Sequence, residues 1–503
     1  MRILLTTLNA KYVHSNLALK YLYNVTVDSG LDIELREYTI NHELEAVYVD
    51  ILRGRYDIVC FSCYIWNIEQ IKPLCRDLKK ACPDLKILLG GPEVTYGAED
   101  FLSENPWADY IIRGEGELAM FQFVKSLVLG DKKFSRVGSL TYRRVGRIVS
   151  SPDCPQVPME KLPFPYARLD VERDKVVYYE SSRGCPYSCG YCISCLDRSM
   201  RFLPMERVRR ELDYFLAMEV RQVKFIDRTF NADRMRAISI WNHLIDNDNG
   251  KTNFHFEICA DILDDDAIKT ISRARRGLFR FEVGIQSTNP LVLSSVGRSG
   301  DLYRLMENTE KLLALGNCEV HADLIAGLPY ENYASFARSF NKAYALRPHE
   351  LQLGFLKVLK GTPVAGDAEA NGIIYRDEAP YEVISTAHIS AAELARLKMI
   401  ETVLDLYYNR GGFDETLEYL DCAVAENSFE FYEKLAGFYY DCGYHRKNHT
   451  KEDLYRILLK FAESFGGKTG EIYIKTQRHL AGDMKRFLNP EAIKRFIRKG
   501  WEI

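Results

Sequence analysis

Residues Ser181–Cys192 read SSRGCPYSCGYC and follow an apolar run that begins at Val176. Within this stretch Cys185, Cys189 and Cys192 stand at positions i, i+4 and i+7. Three thiolates at this spacing on a loop can bind one iron–sulfur cluster, and the glycine and proline residues between them let the backbone pass close to it. Three ligands leave one iron of a four-iron cluster without a protein ligand. The stretch therefore predicts a metal or redox centre that directly follows a strand.

Two other metal sites compete for the same residues. A zinc site would need a nearby fourth ligand, and Cys195 could complete a compact set, but four ligands within eleven residues is an uncommon zinc arrangement. A ferredoxin motif that starts at Cys189 fails, because Ser199 stands where its last cysteine should be. Cys195 therefore stays without an assigned role.

The chain has 13 cysteines in 503 residues, and its first residues read as a strand rather than as a secretion signal. A disulfide framework is therefore not expected. Outside the cluster of four, most cysteines are expected to be ordinary core residues; these nine are Cys60, Cys63, Cys75, Cys82, Cys154, Cys259, Cys318, Cys422 and Cys442.

The overall composition is that of an ordinary globular protein. Hydrophobic residues make up 47%, charged residues 27%, and the formal net charge is −3. The longest nearly uncharged apolar run, Ile58–Ile65, is far shorter than the roughly 20 residues of a membrane span. We therefore expect a cytoplasmic protein without a membrane partner, and a nucleic-acid partner is not expected.

Residues 1–150 alternate short apolar runs with amphipathic helical stretches, which is typical of parallel βαβ units. After the third run, Ile68, Ile71, Leu74, Leu78 and Ala81 repeat at helical spacing. The predicted strands are Arg2–Thr7, Ile33–Tyr38, Asp57–Ser62, Lys86–Leu89 and Tyr110–Arg113. We therefore predict an α/β fold that begins with a doubly wound, Rossmann-like domain, whose ligands bind at the carboxyl ends of the strands.

Residues 151–170 contain five prolines and predict a linker. A second α/β series over residues 171–365 has six such units and predicts a partial or full barrel. Its predicted strands are Val176–Ser181, Val223–Asp227, Phe254–Ala260, Phe279–Ile285, Glu319–Ile325 and Leu351–Val358. Residues 366–503 predict a helical domain that is rich in Tyr and Phe.

The segment CPYSCGYC resembles the CxxxCxxC signature of radical SAM enzymes. The resemblance implies that Cys185, Cys189 and Cys192 hold a [4Fe-4S] cluster whose open iron binds S-adenosylmethionine (SAM). It also implies a reductant such as flavodoxin or ferredoxin, whose electron cleaves SAM to a 5′-deoxyadenosyl radical. Later segments resemble the strand-end motifs of this superfamily, in the subgroup whose fold is a partial (β/α)6 barrel. They imply SAM contacts by Tyr191, Asp227, Arg228, Thr229, Gln286, Ser287, Arg298, Ile325, Gly327 and Lys357.

The N-terminal domain resembles the cobalamin-binding domain of cobalamin-dependent radical SAM enzymes. The implied cobalamin contacts are Tyr12, Val13, His14, Ser15, Asn16, Ser62, Tyr64, Trp66, Gly90, Gly91, Pro92, Gly114, Glu115 and Gly116. The first loop departs from the Asp-x-His-x-x-Gly motif of base-off cobalamin proteins, since Tyr12 replaces the Asp and Leu17 the Gly. Two interpretations of His14 stay open: it binds cobalt from below, or it caps or packs the first helix. In the second case Tyr64 or Trp66 could cover the lower face of the cobalamin.

The resemblance implies an enzyme that modifies an unactivated carbon of a small molecule or peptide, most simply by methyl transfer. Related enzymes also catalyse cyclisations and rearrangements. A tRNA-modifying radical SAM enzyme is an alternative, favoured by the basic tail Lys485, Arg486, Lys494, Arg495, Arg498 and Lys499. A tail of this kind is more often a solvated helix face. A non-catalytic cobalamin carrier is the third alternative, and the complete three-cysteine motif argues against it.

Overall fold

Two parallel β-sheets organise the chain, and the computed structural model describes residues 1–131, 133–498 and 501. The strands of the first sheet are β1 (Arg2–Asn9), β2 (Asp32–Thr39), β3 (Ile58–Ser62), β4 (Lys86–Gly90), β5 (Tyr110–Ile112), β6 (Leu140–Arg144) and β7 (Arg147–Ser150). Strands β1 to β5 are parallel in the order β2-β1-β3-β4-β5. This is the order of a doubly wound domain, which confirms the predicted fold class.

The antiparallel strands β6 and β7 extend this sheet beyond β5, and they were not predicted from the sequence. Their turn residues, Val145 and Gly146, both have positive φ angles. A β-branched residue rarely adopts that conformation, so the sequence carries no recognisable hairpin turn here. The strands also contain several arginines, as is typical of an exposed sheet edge.

Six α-helices accompany the first sheet. They are α1 (Leu17–Thr26), α2 (Leu44–Gly54), α3 (Ile68–Ala81), α4 (Pro92–Thr95), α5 (Ala98–Glu104) and α6 (Gly116–Val128). Helix α3 shows why the periodicity was informative: Ile68, Ile71, Leu74 and Leu78 are buried, whereas Ala81 at its end is exposed.

The second sheet has six parallel strands in chain order. They are β8 (Val176–Tyr179), β11 (Gln222–Phe225), β12 (Asn253–Ile258), β13 (Phe279–Gln286), β14 (Glu319–Ala326) and β15 (Glu350–Phe355). The short strands β9 (Ser182–Arg183) and β10 (Arg201–Phe202) form a separate antiparallel pair. The connecting helices are α7 (Met205–Ala217), α8 (Arg234–Asp246), α9 (Asp265–Ser272), α10 (Pro290–Ser295), α11 (Leu302–Ala314) and α12 (Tyr333–Ala345). The predicted partial barrel is confirmed.

Both end strands of this sheet are covered by other parts of the chain. At β8, the backbone N–H of Val176 donates to the carbonyl of Val13 in the loop after β1 (2.8 Å). At β15, the side-chain amide of Asn409 pairs with both the N–H and the carbonyl of Leu351 (3.0 and 3.1 Å). The first loop of the N-terminal sheet therefore lies against the open side of the barrel.

Residues 151–170, all of which the structure describes, contain one short 3₁₀ turn at Met159–Lys161 and otherwise irregular backbone. After β15 come α13 (Pro363–Gly366), a small hairpin of β16 (Ile374–Tyr375) and β17 (Val383–Ser385), and then helices. These are α14 (Ala391–Leu404), α15 (Asp414–Val424), α16 (Ser428–Asp441), α17 (Lys451–Glu463), α18 (Glu471–Phe487) and α19 (Pro490–Arg498). One apolar core joins them to the barrel. The C-terminal region is helical as predicted, except for the hairpin.

The expectation that most isolated cysteines lie in the core is only partly right. Cys60, Cys63, Cys75 and Cys318 are buried. Cys82, Cys422 and Cys442 are exposed, because Cys82 and Cys442 end helices and Cys422 lies on the outer face of one. Cys154 and Cys259 are partly exposed.

No helix in the described ranges is long and apolar enough to cross a membrane. The basic tail lies on the solvent-facing sides of α18 and α19, where Lys485, Arg486, Lys494, Arg495 and Arg498 are exposed; Lys499 lies outside the described residues.

Candidate functional site

The cysteine loop is closed at both ends by fixed contacts. The carboxylate of Asp227, just after β11, accepts hydrogen bonds from the backbone N–H of Ser181 (2.9 Å) and from the hydroxyls of Ser181 and Ser182 (2.6 Å each). Strands β9 and β10 then pair on either side of the loop. Gly184 has a φ of +90°, and a Cβ there would clash with the carbonyl oxygen of Ser199. Only glycine therefore fits at position 184, where the start of the loop passes the backbone of Ser199 near its end.

Cys185, Cys189 and Cys192 all line one cavity of about 200 Å³ above the barrel. Gly190 fixes the middle of the loop, since its N–H donates to Val296 (2.7 Å) and its carbonyl accepts from Val364 (3.0 Å). Arg298 reaches the loop from the segment after β13, with Nη1 3.8 Å from the Cys189 sulfur and 3.3 Å from the Tyr191 hydroxyl. The structure therefore brings together the three predicted cluster ligands and an adjacent cation.

The residues around this cavity fit a cluster that binds a polar ligand. Gln286 Oε1 and Asp323 Oδ1 are buried and have no hydrogen-bond partner in the described part of the chain. Both residues line the cavity, so a polar ligand there would satisfy them. No group of three or more His, Cys, Asp or Glu side chains within the described residues is arranged to hold a metal ion. The fit to a cluster therefore rests on the loop and the cavity.

The predicted SAM contacts divide into two groups. Those that line the cluster cavity are Tyr191, Arg228, Thr229, Gln286 and Arg298. Those that lie outside its lining are Asp227, Ser287, Ile325, Gly327 and Lys357.

The second group has other contacts in the fold. Asp227 holds Ser181 and Ser182, and the buried Ser287 hydroxyl donates to Glu331 (2.8 Å). A Cβ on Gly327 would meet the Val383 side chain at 2.7 Å, and Ile325 packs against the core. Lys357 is exposed and forms an isolated bridge with Glu382.

Substituting Asp227 with alanine is expected to loosen the cysteine loop. Three donors would lose their acceptor, and each buried donor left unpaired costs about 1–3 kcal/mol. We expect a lower free energy of unfolding in urea and a lower iron content after anaerobic reconstitution. Asp227→Asn is the matched control, because it keeps the volume and one acceptor oxygen, and its loss should be smaller. Wild-type stability and iron content in the alanine variant would contradict this role.

Sequence reasoning missed several residues that also line the cluster cavity, among them Glu257, Cys259, Glu282 and Asp323. They lie on or just after β12, β13 and β14, and the available signal is the alternation of polar with buried apolar residues along these strands. Burial and the nearby Glu282 and Glu257 raise the pKa of Asp323. Burial would also raise the pKa of Glu282, but hydrogen bonding from His255 and the charge of Lys224 outweigh it and lower that pKa to about 2.

Two further cavities lie between the first sheet and the barrel, with volumes of about 430 and 400 Å³. The first is lined by the predicted cobalamin residues Ser62, Tyr64, Gly90, Gly91, Pro92, Gly114, Glu115 and Gly116. The second is lined by His14, Ser15, Asn16, Tyr64 and Trp66. Tyr12 and Val13 line neither: Tyr12 is 68% exposed, and the ammonium of Lys175 lies 4.9 Å from the centre of its ring.

The glycine after β4 shows how closely the backbone is packed beside the first interdomain cavity. Gly91 has a φ of +100°, and a Cβ there would lie 2.5 Å from the carbonyl oxygen of Cys63. Tyr64 and Trp66 follow β3 and stack face to face, with ring centres 4.3 Å apart. Gly91 and Tyr64 line the first interdomain cavity, Trp66 lines the second, and small residues together with flat aromatic rings suit a large planar ligand with a threaded tail.

His14 does not cap the first helix. Asn16 is the cap of α1, because its side-chain oxygen accepts from the Leu19 N–H (2.9 Å). Instead, His14 Nδ1 lies 2.8 Å from the hydroxyl of Tyr178 on β8. Burial and the charges of Lys11 and Lys224 lower the pKa of His14. His14 therefore packs against the barrel through Tyr178, and cobalt binding by His14 stays a prediction.

An ion-pair network joins the cysteine loop to the N-terminal domain. Arg183 contacts Glu115 (3.1 Å), Glu117 (2.5 Å) and Glu180 (2.9 Å). Arg201, on the returning strand of the loop, pairs with Glu115 and with Asp197 (3.1 Å). Burial, opposed by Arg183, raises the pKa of Glu180 to about 7. The network fixes the cysteine loop against the loop that precedes α6.

Comparisons with known proteins agree with this arrangement. The sequence profile of the B12 binding domain matches residues 3–124, that of the radical SAM superfamily matches residues 179–343, and that of a protein of unknown function (DUF4080) matches residues 369–500.

Two relatives and one solved structure show how far the likeness extends. The cobalamin-dependent radical SAM methyltransferase TokK of Streptomyces tokunonensis is 26% identical over 61% of this chain and 48% of its own length. The anaerobic magnesium-protoporphyrin IX monomethyl ester cyclase of Rubrivivax gelatinosus is 24% identical over 58% of this chain and 55% of its own length. The chain thus spans about half the length of these relatives. The fold is similar to TsrM from Kitasatospora setae, a radical S-adenosylmethionine methyltransferase with cobalamin and a [4Fe-4S] cluster bound. Its TM-score is 0.66 at 15% identity, over 92% of this chain and 99% of that one.

Proposed function

We propose that this chain cleaves SAM reductively and modifies an unactivated carbon. The premise is that it matches the radical SAM superfamily and, in its N-terminal part, the B12 binding domain. Methyl transfer is the simplest outcome, and the resemblance to TokK supports it. The proposed cofactors are a [4Fe-4S] cluster, SAM and cobalamin.

One observation carries the proposal: the cluster cavity and the first interdomain cavity are neighbours. Arg228 and Ser194 line both of them. Ser194 of the cysteine loop and Arg228 after β11 are therefore common to the walls of the two cavities. A substrate held at this boundary would reach groups bound in both cavities, which a carrier with a single cavity would not allow.

The chain's own residues have separate roles in this proposal. Cys185, Cys189 and Cys192 would hold the cluster, and Arg298 would pair with the SAM carboxylate. The unpartnered oxygens of Gln286 and Asp323 would accept hydrogen bonds from the ribose hydroxyls. The stacked rings of Tyr64 and Trp66 would support the corrin ring from below. When bound, the cluster supplies an electron for SAM cleavage, and cobalamin supplies a carrier for the methyl group.

Substituting Arg298 with alanine is expected to weaken SAM binding. Losing a hydrogen bond to a charged group costs about 1.5–3 kcal/mol, which is roughly a 10- to 100-fold higher Kd. The measurement is SAM titration of the reconstituted protein, with iron content measured in parallel. Arg304→Ala, an exposed residue on the next helix, is the control. If the alanine variant loses its iron because of the contact with Cys189, Arg298→Lys keeps the charge and separates the two effects. An unchanged Kd in iron-replete Arg298→Ala would contradict the assignment.

The reaction type can be tested with one product assay. The protein, purified anaerobically with cobalamin supplied, would be given SAM and a low-potential reductant, and 5′-deoxyadenosine and S-adenosylhomocysteine would be measured. Both products together indicate methyl transfer, whereas 5′-deoxyadenosine alone indicates cyclisation or rearrangement. The absence of both would contradict the proposed function.

Cyclisation is the second candidate, because the Rubrivivax relative is a cyclase of similar identity. A second cluster in the N-terminal region, as a tRNA-modifying methylthiotransferase would need, is not favoured. Cys60, Cys63 and Cys75 are buried there, and Cys82 is exposed at a helix end.

The proposal extends to partners and location. A small molecule or peptide is the proposed substrate, and flavodoxin or ferredoxin the proposed reductant. We place the protein in the cytoplasm, because thiol-held clusters need a reducing compartment.

A further inference from the structure

Cys195 is the one cysteine of the loop that the proposed function does not use, yet it lines the same cavity as the three predicted ligands. Residues Ile193–Leu196 form a 3₁₀ turn, and the Cys195 N–H donates to the carbonyl of Cys192 (3.1 Å). The Cys192 N–H donates in turn to the carbonyl of Cys189 (3.0 Å). These two bonds turn the backbone tightly between Cys189 and Cys195, and all four cysteines of the loop line the same cavity.

The return of the loop ties the segment after Cys195 to the first cysteine of the loop. The N–H of Cys185 donates to the carbonyl of Asp197, two residues after Cys195 (3.0 Å). Asp197 also pairs with Arg201 on the strand that closes the loop. The first cysteine of the loop is thus hydrogen-bonded to the segment that directly follows Cys195.

The ligand number of a [4Fe-4S] cluster indicates a role for the Cys195 thiol. A [4Fe-4S] cluster has four iron corners, and a full protein ligand set is four cysteine thiolates. Three ligands would leave one corner without a protein ligand, and Cys195 is a fourth thiol that lines the same cavity. The other thiol of this cavity, Cys259, belongs to the barrel and already donates to Asp261 (2.9 Å). Cys195 is therefore better placed than Cys259 to reach the cluster.

We propose that Cys195 is a fourth, displaceable ligand of the cluster, which occupies the open iron until SAM replaces it. This inference rests on the proposed function, since it needs the cluster to be present. The exchange involves no change of oxidation state. The iron–sulfur bond to Cys195 breaks, and bonds from the amino nitrogen and carboxylate of SAM form. The SAM ammonium loses a proton as its nitrogen binds iron, and the released thiolate takes up a proton.

The test compares cluster stability with and without the thiol. Wild-type protein, Cys195→Ala, Cys195→Ser and the matched control Cys259→Ser would be reconstituted anaerobically without SAM and treated with a mild oxidant. Loss of one iron is then measured as the [3Fe-4S]+ signal by EPR. We expect wild type and Cys259→Ser to resist iron loss, and Cys195→Ala to show a several-fold larger signal, because its fourth iron has no protein ligand. Cys195→Ser should lie between them.

SAM binding gives a second readout. Removing an internal competitor should lower the Kd for SAM of Cys195→Ala several-fold relative to wild type. Equal iron loss and equal SAM affinity in wild type and Cys195→Ala would overturn the inference. A Cys195→Ala protein that cannot hold a cluster, beside a Cys259→Ser protein that can, would show that Cys195 is a ligand. Absence of any [4Fe-4S] absorption in wild type would instead refute the proposed function.

Discussion

Replacing Cys185, Cys189 or Cys192 with alanine is expected to abolish both the cluster and the formation of 5′-deoxyadenosine. Each thiol lines the same cavity, and two of the three are buried, so no solvent ligand can easily replace one. The expected result is near-complete loss of bound iron and of the visible absorption of the reconstituted protein.

Cys82→Ala and Cys442→Ala are matched controls, because each removes an exposed thiol outside the cysteine loop. Both variants should keep wild-type iron content. If Cys189→Ala bound as much iron as Cys82→Ala and still formed 5′-deoxyadenosine, the cysteine loop would not be the cluster site.

Replacing Gly91 with alanine is expected to reduce cobalamin binding strongly. The added Cβ would lie 2.5 Å from the carbonyl oxygen and 3.0 Å from the nitrogen of Cys63, so backbone must move beside the cavity. The positive φ angle adds strain of about 1–3 kcal/mol. If that movement narrows the cavity, the affinity for cobalamin should fall roughly tenfold or more. Equilibrium dialysis with cobalamin measures it.

Gly30→Ala separates backbone strain from the cavity effect. Gly30 has a similar φ of +83°, but a Cβ added there would have no other atom within 4 Å. This variant should lose stability without losing affinity for cobalamin. The assignment of the first interdomain cavity fails if both variants bind cobalamin with the same affinity.

The fold could largely be predicted from local sequence patterns. Parallel strands buried on both faces read as short apolar runs, and all eleven predicted strands are found within a few residues of their expected bounds. The hairpin of β6 and β7 was missed because its turn uses a valine with positive φ. Here the tertiary structure overrides the conformational preference of Val145, and a local sequence pattern cannot predict such a turn.

The candidate site was predictable only where its chemistry lies in one short segment. The cysteine spacing predicts three cluster ligands, which the structure places along one cavity, and the strand ends indicate where other residues gather. The structural role of Asp227 could not be predicted in the same way. Its carboxylate accepts hydrogen bonds from the hydroxyls of Ser181 and Ser182, which precede it by about 45 residues. Likewise, Asn16 rather than His14 caps α1, and that depends on the geometry of the loop.

The central claim is that one chain holds a cluster and a corrinoid in neighbouring cavities that Arg228 and Ser194 both line. EPR of the doubly loaded protein tests it most directly. Cobalamin is first placed in its paramagnetic cobalt(II) state. Reduction then makes the cluster paramagnetic as well, and a nearby paramagnetic cluster should speed the relaxation of the cobalt signal. We predict that faster relaxation in wild type and its absence in Cys189→Ala. A cobalt signal that relaxes equally fast before and after cluster reduction, or a chain that binds no corrinoid, would contradict the account.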